Sequence, residues 1–291
     1  MLHTIQNQLL SVTVAEHGAE LQSIRHADGT EYLWQGDPAY WRSRAINLFP
    51  YVARLTNDSY WLDGKLYHMD IHGFAPYRSF RLTAHQPDSM TFELTDDADT
   101  YAHYPRQFAF RIHYVLENNR LNITFEVENR DSKPMYFGLG GHPGFRVPLT
   151  DGLAFTDYRL RFSHPCQPNR VGFTETCFLN GTNTPYPLEQ DAVLPLDHSL
   201  FDDDAIVLKE MDRQVTLETD SDGHSVTVGF PGMDYLGIWH KPHTDAPYVC
   251  IEPWCSLPST QDVVAELETQ PDLISLEPGK TYRNTWWIEL Q

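Results

Sequence analysis

The sequence is short of positive charge. Against 40 aspartates and glutamates it sets only 21 lysines and arginines, a formal net charge of −19. Such a surface repels phosphate backbones and anionic bilayers, so nucleic-acid and membrane-surface roles are excluded as expectations. No apolar run approaches the roughly 20 residues of a membrane-spanning helix. The first residues, "MLHTIQNQLLSVTVAEHGAEL", lack a basic segment followed by an apolar core and a small-residue cleavage site, which makes a cytoplasmic location the expectation. Cysteine is scarce as well. Cys166, Cys177, Cys250 and Cys255 form no C-x-x-C pair and no zinc-type spacing, so they read as reduced thiols. Helical periodicity is nearly missing; "DVVAELETQ" (262–270) and "PAYWRSR" (38–44) are the two candidates for short helices. There is no internal repeat, no low-complexity tract and no composition shift, so residues 1–291 are expected to form one domain.

What is present is a period of two and many aromatic residues, 13% of the chain. In "FAFRIHYVLE", Phe108, Phe110, Ile112, Tyr114 and Leu116 share a face. "LNITFEVEN" repeats the pattern after an "NNR" turn, which predicts a hairpin with one buried and one solvated side. "SMTFELTD", "QVTLETDSDGHSVTVGF", "YLGIWHKP", "YVCIEPW" and "TYRNTWWIEL" predict further strands, with "LFPYVARL" as another. Short strands separated by Gly, Pro and Asn breaks predict an all-β antiparallel sandwich or barrel. The stretch from Pro165 to Pro195 reads as a long connection.

Six features carry possible chemistry. "YHMDIHGF" would put His68, Asp70 and His72 on one face of a strand, a row able to hold a transition metal, although Gly73 argues for a turn that re-aims one imidazole. "GLGGHPGF" sets Gly138, Gly140 and Gly141 before His142, so that the backbone approaches something closely, with Pro143 stiffening the turn after it. In "YVCIEPW", Tyr248, Cys250 and Glu252 share a face, and Glu252 ends a mostly apolar strand, where desolvation makes a carboxylate a better base. Arg54 lies in an apolar stretch and must meet a carboxylate or a ligand oxygen. "LFDDDAIVL" offers Asp202, Asp203 and Asp204, of which Asp204 beside Ala205 is expected to point inward. Trp239 is either core or a stacking face.

Taken in order, "NLFPYVARL", "IHGFAPY", "GGHPGF", "LFDDDAIVL", "GIWHKP" and "VCIEPW" resemble the aldose 1-epimerase (mutarotase) superfamily, in particular its LacX-type branch. The resemblance implies a β-supersandwich with a sugar-binding cleft, a small-molecule sugar as ligand, no cofactor and no metal. It places a positioning arginine at Arg54, the first histidine at His72, the general acid at His142 and the general base at Glu252. The sugar-contacting aspartate falls on Asp204, with Asp203 as its alternative. Anomer exchange needs a base for the C1 hydroxyl proton and an acid for the ring oxygen, and His142 must then be protonated, a form that the acidic protein is expected to favour. The alternatives are a hexose-6-phosphate 1-epimerase using Arg42 and Arg44, a non-catalytic carbohydrate-binding protein built on Trp239 and Arg54, and a metal-dependent isomerase or lyase using the His68, Asp70, His72 row. The sequence leaves monomer and homodimer both open.

Overall fold

The alternating hydrophobic pattern is realised as two large antiparallel sheets in the computed structural model, which describes residues 1–291. Phe108–Glu117 and Arg120–Asn129 pair with Arg120 opposite Glu117, and Asn118 closes the turn at φ 55. Phe108, Phe110, Ile112 and Tyr114 are all buried on the inner face. This hairpin is the middle of a nine-stranded antiparallel sheet that also holds Ser89–Thr95, Gln214–Glu218, Val226–Gly229 and the long strand Thr281–Leu290.

The second large sheet has seven strands. In spatial order they are Leu179–Pro185, Asn169–Phe173, Ile206–Lys209, Tyr235–Trp239, Tyr248–Trp254, Gly140–Arg146 and Ala45–Leu48. Its inner face supplies Ile206, Leu208, Leu236, Ile238, Val249, Ile251 and Phe145 to one hydrophobic core shared with the nine-stranded sheet. Period-two geometry then sends Tyr248, Cys250 and Glu252 to the opposite, outer face. There Tyr248 and Cys250 join Trp34 and Ala246 in a separate small cluster, flanked by Tyr40, Trp41 and Trp239. A second small cluster of Leu48, Val52, Val171, Val207, Trp254 and Leu257 also lies outside the main core.

Several local expectations are corrected. Residues 262–270 form turns and the two-residue strand Ala265–Glu266, and 38–44 form a turn; neither is helical. The one α-helix is Ala98–His103, started by Asp97, whose side chain accepts from the Asp99 and Thr100 amides. Pro165–Pro195 is no open connection, since Asn169–Phe173 and Leu179–Pro185 pair as a hairpin and Val193–Pro195 joins the nine-stranded sheet. In "LFPYVARL" the strand ends at Leu48, before Pro50, which lacks the amide a further ladder position needs.

The glycines before His142 serve packing between parts of the protein. A Cβ on Gly140 would lie 2.8 Å from Trp254, and one on Gly141 would lie 2.4 Å from the ring of Trp286, a residue of the nine-stranded sheet. The segment is a strand, not a turn, and the two sheets touch at Gly141. Gly141→Ala is therefore expected to destabilise the fold by about 1–3 kcal/mol through overpacking. Gly223→Ala, where the new methyl group meets nothing within 4 Å, should leave chemical denaturation unchanged.

Candidate active site

Two strands of the seven-stranded sheet bring an imidazole and a carboxylate together. Gly140 pairs with Trp254 and Gly144 with Cys250, which sets His142 across from Glu252. The ladder is open between those two pairs, where Pro143 has no amide to give. His142 Nε2 stands 3.2 Å from Glu252 Oε2, and the Glu252 side chain is 1% exposed. The alignment is poor for a hydrogen bond: Glu252 Oε2 and His142 Nδ1 are both buried without a partner. Buried polar atoms are rarely left so unless something else completes them.

Burial, seconded by the charge of Asp204, pushes the Glu252 carboxyl well above the usual carboxylate range. Burial, seconded by His72, pushes the His142 imidazole well below its ordinary value. The expectation that the acidic protein would hold His142 protonated is thus corrected. Removal from water outweighs the distant field, and the two directions together favour Glu252 as the holder of a proton shared by the pair.

His72 approaches from a loop. Its strand, Lys65–His68, ends four residues earlier, and His72 itself has φ 66. Gly73 follows at φ 75, and a side chain there would run into the Phe49 carbonyl at 2.3 Å. His72 and Ala53 clasp each other. The His72 amide donates to the Ala53 carbonyl (2.9 Å) and the Ala53 amide donates to His72 Nδ1 (3.2 Å). Nδ1 is therefore an acceptor, and the neutral ring carries its proton on Nε2. Burial, then the neighbouring Arg54 charge, holds His72 down at about 4, so it stays neutral through the physiological range. Its ring meets His142 edge-on at 5.6 Å.

The remaining predicted residues surround this group. Arg54 is exposed and beyond the end of its strand, contrary to the reading of a buried arginine in an apolar strand, and no carboxylate pairs with it. Its charge is nonetheless felt by His72 and by Cys177. Asp204, at φ 71, accepts the Cys177 thiol at 3.1 Å and the Ala205 amide at 2.9 Å, and its charge reaches Glu252. Asp203 is exposed and Asp202 pairs with His243 at 3.1 Å, so Asp204 is the aspartate nearest the pair. Trp239 lies opposite Cys250 and presents its edge to His142 at 5.8 Å.

The His68, Asp70, His72 row does not form. His68 and Asp70 are exposed, and His68 bonds Ser59 at 2.9 Å, away from His72. Arg44 is also turned elsewhere: its guanidinium bonds Gln22 and its amide bonds Glu20.

One residue escaped the sequence reading. Trp41 lies flat on the His142 imidazole at 4.8 Å and on Tyr248 at 6.0 Å. It is held by its amide to the Asp37 carbonyl and by the Trp34 indole N–H to its own carbonyl. The signal was the tryptophan in "PAYWRSR", a segment that opens on proline and reads as easily as a turn as a helix.

A large antiparallel β-sandwich of this kind is the architecture of the galactose mutarotase-like proteins. The aldose 1-epimerase family profile matches residues 1–289. The chain is 33% identical over 296 residues to the chromosomal LacX protein of Lactococcus lactis subsp. lactis, covering 98% of each. Among solved structures it is similar to a galactose mutarotase related enzyme from Lactobacillus acidophilus, with a TM-score of 0.96 at 34% identity over 100% of this chain and 97% of that one. It is similar also to a galactose mutarotase-like protein from Lactobacillus casei ATCC 334, with a TM-score of 0.93 at 32% identity over 100% of both chains. The chain belongs to the aldose 1-epimerase family, and its likeness within that family is to the LacX proteins.

Proposed function

We propose that this protein is an active aldose 1-epimerase that exchanges the α and β anomers of a free hexose, as part of carbohydrate metabolism. The observation that carries the proposal is the cross-strand pair His142–Glu252, buried, 3.2 Å apart and with polar atoms left unsatisfied. The reaction needs the pair to hold a single proton, and the lowered His142 and raised Glu252 favour that state. As sugar enters, its hydroxyls stabilise the Glu252 carboxylate, and the shared proton passes to His142. Glu252 then takes the C1 hydroxyl proton while His142 gives its proton to the ring oxygen; the C1–O5 bond breaks and a C1 carbonyl forms. The C1–C2 bond rotates. In closure the C5 hydroxyl attacks the other face of C1, His142 takes that hydroxyl's proton, and Glu252 returns one to the carbonyl oxygen.

The other side chains have supporting roles in this reading. Neutral His72 directs its Nε2 proton at the sugar beside the ring oxygen. The unpaired Arg54 and the partly buried Asp204, both close enough to act on Cys177, bond sugar hydroxyls. Trp41 and Trp239 wall the ring. Trp41→Ala is expected to raise KM by about tenfold, the worth of one aromatic contact, with Trp41→Phe restoring most of it. An unchanged KM in Trp41→Ala would remove that wall from the account.

The experiment is polarimetry on freshly dissolved α-glucose, α-galactose and their 6-phosphates. Acceleration of the free sugars is expected. The Arg44 guanidinium is held by Gln22, which leaves Arg42 as the exposed cation of its segment to meet a phosphate. Acceleration confined to the phosphorylated sugars would transfer the assignment to a hexose-6-phosphate 1-epimerase.

A further inference from the structure

The same two strands gather a donor set that anomer exchange does not call for. Cys250 is a free, fully buried thiol two residues before Glu252 on the same face. Its opposite residue is Gly144, which has no side chain of its own; a Cβ there would come within 3.4 Å of the Cys250 sulfur. The thiol is thereby left room beside the acid–base pair. One donor atom from each of His142, Cys250 and Glu252 lies within 4.8 Å of the others, and all three residues are buried. Among them, Glu252 Oε2 has no hydrogen-bond partner.

We propose that His142, Cys250 and Glu252 form a binding site for a borderline-soft divalent cation of the zinc class, and that the bound cation switches off the acid–base pair. The second half rests on the epimerase reading above; the first does not. One sulfur, one imidazole nitrogen and one carboxylate oxygen are a ligand set for zinc, whereas magnesium and calcium ask for six or more oxygens. Tetrahedral bonds of about 2.0–2.3 Å put ligand atoms roughly 3.5 Å apart, so the set needs to contract by only about 1 Å. Charge argues the same way. A thiolate, a carboxylate and a neutral imidazole carry −2 together, and a divalent cation leaves this buried place neutral. Binding displaces the Cys250 thiol proton and any proton on Glu252 to solvent; nothing is oxidised or reduced. A cation held in this site engages both His142 and Glu252, and neither can then exchange a proton with a sugar.

The test titrates purified protein with Co²⁺ and Zn²⁺ in parallel with rate measurements. One Co²⁺ per chain is expected to give a near-ultraviolet thiolate-to-cobalt charge-transfer band that Zn²⁺ abolishes and that Cys250→Ser lacks. Micromolar Zn²⁺ is expected to suppress anomer exchange in the wild-type protein and a chelator to restore it. Cys250→Ser should keep the metal-free rate but need at least about tenfold more Zn²⁺ for the same inhibition. The wild-type band is read whether or not the variant folds. Absence of the band, a band that persists in Cys250→Ser, or equal inhibition of the two proteins would overturn the site. A band in a protein that exchanges no sugar's anomers would uphold the site and overturn the epimerase reading instead.

Discussion

The Glu252→Gln protein is expected to fold, to bind sugar and to lose anomer exchange by about 10²–10⁴-fold, the usual cost of removing a positioned base. Glutamine fills nearly the same volume as the protonated glutamic acid that burial favours at this position, so the strand Tyr248–Trp254 and its neighbours have no reason to move. It has the carboxyl group's shape and hydrogen-bonding ends but cannot accept the C1 hydroxyl proton. Denaturation midpoint and sugar binding, measured on the same sample as the rate, separate this outcome from misfolding. Near-normal turnover in Glu252→Gln would remove the carboxylate from the mechanism.

The two histidines should fail differently, and the pH profile distinguishes them. In the wild-type protein the active state of the pair holds a single proton. Burial lowers His142 and raises Glu252, so that state spans a broad window. Activity falls on the acid side when a second proton goes onto His142, below the imidazole's ordinary 6.5, and on the alkaline side when the last proton leaves. In His142→Asn, Glu252 is left to act alone as base. Most of the rate should go, and the residue should climb with pH through the raised Glu252 value without an alkaline fall. In His72→Asn the pair is intact, and His72, at about 4, has lost its proton well before the alkaline fall, which belongs to the pair alone. Rate and binding should both weaken while the bell shape survives. An alkaline fall retained by His142→Asn and missing from His72→Asn would put the acid on the wrong residue.

Much of this molecule was legible in its sequence, for reasons that differ from place to place. Phe108–Glu117 and Thr281–Leu290 were plain because one face of each is buried against the opposite sheet, so local alternation reports tertiary position. Glu252 stood out because a carboxylate in an otherwise apolar strand has few reasons to be there. The glycines of "GLGGHPGF" announce a close approach but not its partners, Trp254 and Trp286, because no local pattern names a partner that far along the chain. The apolar neighbours of Arg54 suggest a strand, whereas Val52 and Leu55 are buried outside any strand and Arg54 itself faces out. The juxtaposition of Cys250 with His142 depends on cross-strand register, which composition and spacing do not contain. Trp41 lay in a segment whose turn geometry is stabilised by the Asp37 side chain and by Trp34, contacts visible only after folding.

The central claim is that the His142–Glu252 pair opens and closes a hexose ring. Two-dimensional exchange NMR on an equilibrated α/β mixture of galactose and of glucose tests it without coupling enzymes or fresh crystals. The wild-type protein is predicted to give anomer-exchange cross-peaks at catalytic concentration, with those peaks lost in Glu252→Gln. Spectra without exchange for every aldose and aldose 6-phosphate tried, from a protein that melts cooperatively, would contradict the account.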